Sequence, residues 1–161
     1  MSIALIVANE NMEIQDKFCE TVRPDFNKFY SEDAEKIHGF TKRKMKKFQD
    51  PRSLCINILN FLKPFKDEGD FPQLFISHSI GQFDYRFVEW LFRKQELQWS
   101  LWKVLDQSKQ RSTIKAGRAR GYKTNKLDEW AKRLGFDLQH HSAESDTMCC
   151  YEIDKFLMRE L

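Results

Sequence analysis

Leu74-Phe75-Ile76-Ser77-His78-Ser79-Ile80-Gly81-Gln82-Phe83-Asp84 is the stretch on which the reading of this chain turns. An apolar run ends in a small polar turn, and the turn delivers one carboxylate. Further along, His141-Ser142-Ala143-Glu144-Ser145-Asp146 offers an imidazole and a second carboxylate. Two acids and a histidine at separate places in a basic chain point to metal-assisted phosphodiester hydrolysis.

Working outward, Ile3 to Ala8 is a continuous apolar run with β-branched residues and predicts a buried strand. Asn9 to Glu13 is turn-like, and Lys17 to Val22 predicts the partner strand of a hairpin. Ser31 to His38 predicts a short helix capped by Ser31, acidic at its start and stopped by Gly39. Thr41 caps a second short helix rich in lysine. Leu54, Ile56, Ile58, Leu59 and Leu62 form a helical stripe over Ser53 to Phe65. Leu74 to Ser77 is a strand, Tyr85 to Gln95 a helix, and Leu101 to Leu105 a short strand. Lys109 to Lys126, with Gly117 and Gly121, reads as a loop of consequence. Asn125 to Leu134 is a helix stopped by Gly135, and Asp146 to Leu161 is the last helix. A hairpin followed by alternating helices and strands makes an α/β domain around a mixed sheet.

The 161 residues suffice for one domain with a real core and not for two comfortable ones, so residues 1–161 are read as a single domain. The 32% charged and 41% hydrophobic content excludes a disordered chain. The net charge of +3 is compatible with a nucleic-acid partner without demanding one. Cys19, Cys55, Cys149 and Cys150 form no C-x-x-C pair. They read as reduced thiols of a cytoplasmic or nuclear protein rather than as zinc ligands. No run is long enough to span a membrane, so no membrane partner is expected.

Several fragments, in collinear order, resemble the DnaQ-like (DEDDh) 3′→5′ exonuclease family with its ribonuclease-H-like fold. Thr21-Val22-Arg23-Pro24 and Ile37-His38-Gly39-Phe40-Thr41 resemble the family's strand ending in proline and its I-H-G-x-T segment. Leu74 to Asp84 resembles the strand leading to H-N-x-x-F-D, with one extra residue between His78 and Asp84. Val104-Leu105-Asp106 resembles the strand before the third helix. Leu127 to Gly135, followed by His141 to Asp146, resembles the third motif with H-x-x-x-x-D. Each fragment alone is weak, and their order and spacing together are strong.

The resemblance implies a mixed sheet flanked by helices and a metal-dependent 3′→5′ exonuclease, of the DNA polymerase III epsilon type, acting on single-stranded DNA or RNA with a free 3′ end. It implies two Mg²⁺ or Mn²⁺ ions, hard cations that favour carboxylate oxygen. Asp84 and Asp146 are the implied metal ligands. His141 is the implied general base, since imidazole titrates near neutral pH. A polymerase or another repair protein is a further implied partner. The family's first motif, D-x-E on the first and central strand, has no counterpart, because only Met1 and Ser2 precede Ile3. Ile3 to Ala8 therefore corresponds to the family's second strand.

Each site residue also has a plainer reading. Asp84 and Asp146 could be helix caps or first-turn acids, and His141 an exposed loop histidine. Taken singly, the plainer reading is favoured for all three; within the collinear match, the functional one is. His78 and His38 read as structural, His78 tying a strand end to a loop. Arg118, Arg120 and Lys123, interleaved with glycines and Tyr122, are the candidate phosphate contacts, and a plain surface loop is an equal alternative. Loss of a central strand would leave unpaired backbone groups that each cost ~1–3 kcal/mol, against a total stability of roughly 5–15 kcal/mol. The chain as written is therefore expected to be N-terminally truncated relative to the family, poorly stable and weak or inactive. A non-catalytic nucleic-acid-binding or protein-interaction module on a degenerate exonuclease fold is the rival reading.

Overall fold

The computed structural model describes residues 2–23, 31–65, 74–78, 84–97, 109–139 and 142–159. The chain opens with the expected antiparallel hairpin, β1 (Ser2–Ala8) against β2 (Ile14–Thr21), with a register shift between Val7 and Ala8. Asn9 builds the turn: its Oδ1 accepts the backbone N–H groups of Asn11 and Glu13, and its amide donates to Glu13. Those side-chain bonds let Met12 take a positive φ of 59°.

Two short helices follow, α1 (Glu32–His38) and α2 (Lys42–Met45). Gly39, at φ 67°, ends the first, and Thr41 caps the second by accepting from the Lys44 N–H. The next helix, α3 (Pro51–Leu62), starts two residues before the expected Ser53. Asp50 caps it with bonds to Arg52 and Ser53, and Pro51 occupies the first turn, where its missing N–H costs nothing. A 3₁₀ turn, Lys63–Phe65, completes it.

Strand β3 (Leu74–Ser77) and helix α4 (Asp84–Lys94) fall where the sequence predicts them. The expected strand Leu101 to Leu105, and the Val104–Asp106 fragment with it, lie outside the described residues. The expected loop from Lys109 to Lys126 is a correction. It contains β4 (Lys109–Ser112), which pairs in parallel with β3, and helix α5 (Thr113–Ala119), which Ser112 caps. Helix α6 (Leu127–Leu134) ends at Gly135 in the left-handed conformation, φ 66°. Helix α7 (Ala143–Arg159) begins three residues before the expected Asp146.

Buried apolar residues form two clusters. Leu54, Cys55 and Ile58 of α3 and Leu91 and Phe92 of α4 pack on Ile3 of β1 and on Val22. Trp130 and Ala131 of α6 pack on Cys149, Ile153 and Leu157 of α7. Helix α7 also lies against both β1 and β3. Among the described residues, β1 pairs with β2 and β3 with β4, and no ladder joins β1 to β3. An α-helix is about 10 Å across and adjacent strands lie about 4.8 Å apart. One helix of that width can lie against two strands that share no ladder. This is a ribonuclease-H-like α/β fold.

Candidate active site

Helix α7 carries Asp146 and lies against β3. Arg111 of β4 is in register with Ile76 of β3, and its guanidinium meets Asp154 of α7 at 2.5 Å. One turn nearer the N-terminus of α7, the Cys149 thiol lies 3.9 Å from the Leu127 carbonyl. Leu127 is two residues from Asn125, whose carbonyl accepts from His78 Nε2 at 2.9 Å just past the end of β3. Both contacts tie α7 to this region, directly to β4 at Asp154 and to the start of α6 at Cys149. From the end of β3 the chain leads to Asp84, the first residue of α4.

Asp146 is half-buried one turn inside α7. Ser142 opens the helix instead: its carbonyl accepts the Asp146 N–H at 2.9 Å, and its hydroxyl accepts the Ser145 N–H. Asp146 is therefore not the cap, and the plainer reading of it as a first-turn acid stands. The N-terminal part of α7 is held on the hairpin by Thr147, whose hydroxyl donates to the Ala4 carbonyl, and by Tyr151, whose hydroxyl donates to the Met12 carbonyl. Backbone positions at the start of α7 are thus set from two sides. His141, and the Asp84 side chain, lie outside the described residues. Among the described residues no three His, Cys, Asp or Glu side chains converge. Carboxylates are hard oxygen donors suited to Mg²⁺ or Mn²⁺, so Asp146 fits one position of such a donor set.

The expectation for His78 is met. Its Nδ1 lies 2.8 Å from Thr113 Oγ1, and Ser112 Oγ donates to its carbonyl at 2.9 Å. Since the Asn125 carbonyl can only accept, Nε2 donates to it, and Nδ1 pairs with the hydroxyl of buried Thr113. His78 therefore laces the end of β3 to the start of α5 and to the segment before α6.

The end of α5 and that segment carry the basic candidates. Arg118 is exposed, and its Nε donates to Asn125 Oδ1. Lys123 is exposed. Arg120 is half-buried and donates to the Ala116 carbonyl within its own helix. Through Asn125, Arg118 is linked to His78, just past β3. Sequence reasoning missed Thr113, Asn125 and the Arg111–Asp154 pair. None stands in a spacing that distinguishes it from ordinary surface polarity, and tertiary contact alone identifies them.

The thiols are set apart from this chemistry. Burial pushes Cys55 up to about 12 and Cys149 up to about 11, with Asp146 and Asp128 adding to the latter. Such thiols stay protonated and unreactive.

A protein-family model described as an exonuclease (RNase T type) matches residues 1–153. No curated protein matches the sequence. Among solved structures, a 3′-exonuclease engaged in 3′-end-specific recognition of a histone mRNA stem-loop superposes with TM-score 0.76 at 16% identity, covering 99% of this chain and 71% of that one. The nuclease domain of 3′hExo, a DEDDh family member bound to rAMP, superposes with TM-score 0.76 at 15% identity, covering 99% and 80%. Exonuclease X in complex with 5′-overhanging duplex DNA gives 0.59 at 16%, covering 99% and 82%.

Proposed function

We propose a substrate and a mechanism from one premise: this chain belongs to the exonuclease family whose model matches residues 1–153, a DnaQ-like family that generally uses divalent metal ions. On this reading residues 1–161 are a single domain that removes nucleotides in the 3′→5′ direction from single-stranded DNA or RNA. The observation that supports it is that α7, which carries Asp146, lies against β3, the strand that precedes Asp84 in the chain. The structural neighbours, one recognising an RNA 3′ end and one in complex with 5′-overhanging duplex DNA, support a nucleic-acid substrate with a free 3′ end.

Asp84 and Asp146 would hold the ion, Mg²⁺ or Mn²⁺, which when bound supplies Lewis acidity at the scissile phosphate. His141, one residue before the Ser142 cap, would take the proton of the attacking water as that oxygen bonds to phosphorus and the 3′ oxygen leaves. Arg118 and Lys123, with Arg120 behind them, would grip backbone phosphates beside the site. None of the four cysteines is in a disulfide, which supports a reducing compartment, cytoplasmic or nuclear.

The second reading is a module that binds oligonucleotides without metal or turnover. The test uses 5′-labelled single-stranded oligonucleotides with Mn²⁺. Stepwise shortening from the 3′ end, reduced about 10²-fold or more by Asp84→Asn, Asp146→Asn or His141→Ala, is expected of the nuclease. Binding that is indifferent to Mn²⁺ and to all three substitutions, with no shortening, establishes the module.

A further inference from the structure

Asp154 is almost fully buried, 1% exposed, in a helix whose other inward residues are apolar. Its Oδ2 accepts from Arg111 Nη2 at 2.5 Å, while Arg111 Nη1 reaches Met158 Sδ at 3.1 Å. The fork is incomplete: Asp154 Oδ1 and Arg111 Nε are buried without hydrogen-bond partners among the described residues. Burial pushes the Asp154 carboxyl up, against the pull of Arg111 and, more weakly, Arg120. Stability alone does not account for such a pair, since well-packed apolar residues of similar volume generally do as well or better.

Register does account for it. Cys149, Ile153 and Leu157 contribute apolar bulk, which can be buried at more than one setting of a helix on its neighbours. A buried carboxylate is satisfied at one setting only. Arg111 stands in the ladder beside Ile76, two residues before His78. The pair therefore ties α7, which carries Asp146, to the strand that leads to Asp84. Eight residues of helix separate Asp154 from Asp146, about 12 Å, and a slip of one residue would displace Asp146 by about 1.5 Å and turn it by about 100°. Metal and catalytic constellations tolerate about 0.5 Å.

We propose that Arg111 and Asp154 are positioning residues that set the register of α7 on β3–β4 and so place Asp146 for metal binding. This rests on the reading of Asp146 as a ligand. The test is Mn²⁺ titration of the 161-residue chain by calorimetry, alongside thermal unfolding. Asp146→Asn tests the ligand reading itself. If it leaves Mn²⁺ affinity unchanged, that reading falls and the positioning role with it. If it weakens binding, the double variant Arg111→Met/Asp154→Leu is expected to weaken it by about tenfold or more while Tm holds or rises, as outer-shell changes do. Arg111→Lys, which keeps a charge on β4, is expected to recover part of the loss. Should the double variant fail to fold, the isosteric Asp154→Asn carries the same expectation at about threefold or more. Wild-type Mn²⁺ affinity in the folded variant, whatever its Tm, overturns the proposal.

Discussion

Gly117→Ala puts two opposing energies against each other at one atom. Gly117 lies in the middle of α5, where alanine is favoured over glycine by about 0.5–1 kcal/mol from backbone entropy. A Cβ built there would stand 2.8 Å from Trp130 Cζ2. The ring has little room to yield: Trp130 is fully buried and its neighbours are the rings of Tyr122 and Phe156, with centroids at 5.0 and 6.2 Å. Forcing a methyl into a packed core costs about 1–3 kcal/mol. The net effect is a destabilisation of about 0.5–2 kcal/mol. Each kcal/mol lowers Tm by about 2–4 °C in a chain of this size. Thermal denaturation followed by circular dichroism reads it directly. Trp130→Phe removes the offending ring atom and forfeits no hydrogen bond, because the indole Nε1 is buried without a hydrogen-bond partner among the described residues. In that background Gly117→Ala is expected to be neutral or stabilising. A higher Tm for Gly117→Ala in the otherwise unaltered protein would refute the close approach of α5 to α6.

Three further outcomes follow from the same contacts. Hydrogen bonds from Ser53 and Arg52 hold the exposed Asp50 carboxyl below its usual 3.8, so the cap is stabilising above that pH and fades as pH falls through the depressed value. The Tm gap between wild type and Asp50→Ala should accordingly be full at pH 7 and narrow in acid; a gap that widens in acid would contradict this. Thiol titration at pH 8 should modify exposed Cys19 in the native protein, whereas Cys55 and Cys149 should react only in denaturant, and rapid native labelling of either would show their packing to be wrong. Removing Arg118 or Lys123 should weaken oligonucleotide binding evenly across sequences and reduce the slope of log affinity against log salt by about 0.7 each for a single strand; an unchanged slope removes that residue from the interface.

Local chemistry in the sequence specified much of the fold. The β-branched run from Ile3, the Thr41 cap, Gly39 and Gly135 each act within a few residues, and each stands where their local rules put it. The Asp50-Pro51 start of α3 was equally legible, but the apolar stripe drew the predicted boundary inward to Ser53. Order and spacing of short motifs carried the family and the naming of Asp84 and Asp146. Tertiary structure decided the rest. Lys109-Gln110-Arg111-Ser112 has no apolar alternation and became a strand because β3 offers it a parallel ladder and Asp154 offers Arg111 a buried partner. Thr113 to Ala119, basic and interrupted by glycine, became a helix because Ser112 caps it and Trp130 leaves room there for no side chain. The site divides in the same way. Residue types and their order are one-dimensional and sufficed to name two acids and a histidine. The ties of β3 and β4 to α5, to the segment before α6 and to α7 were set by pairings of residues 34 to 47 positions apart, Ser112 and Asn125 with His78 and Asp154 with Arg111, which no local pattern encodes.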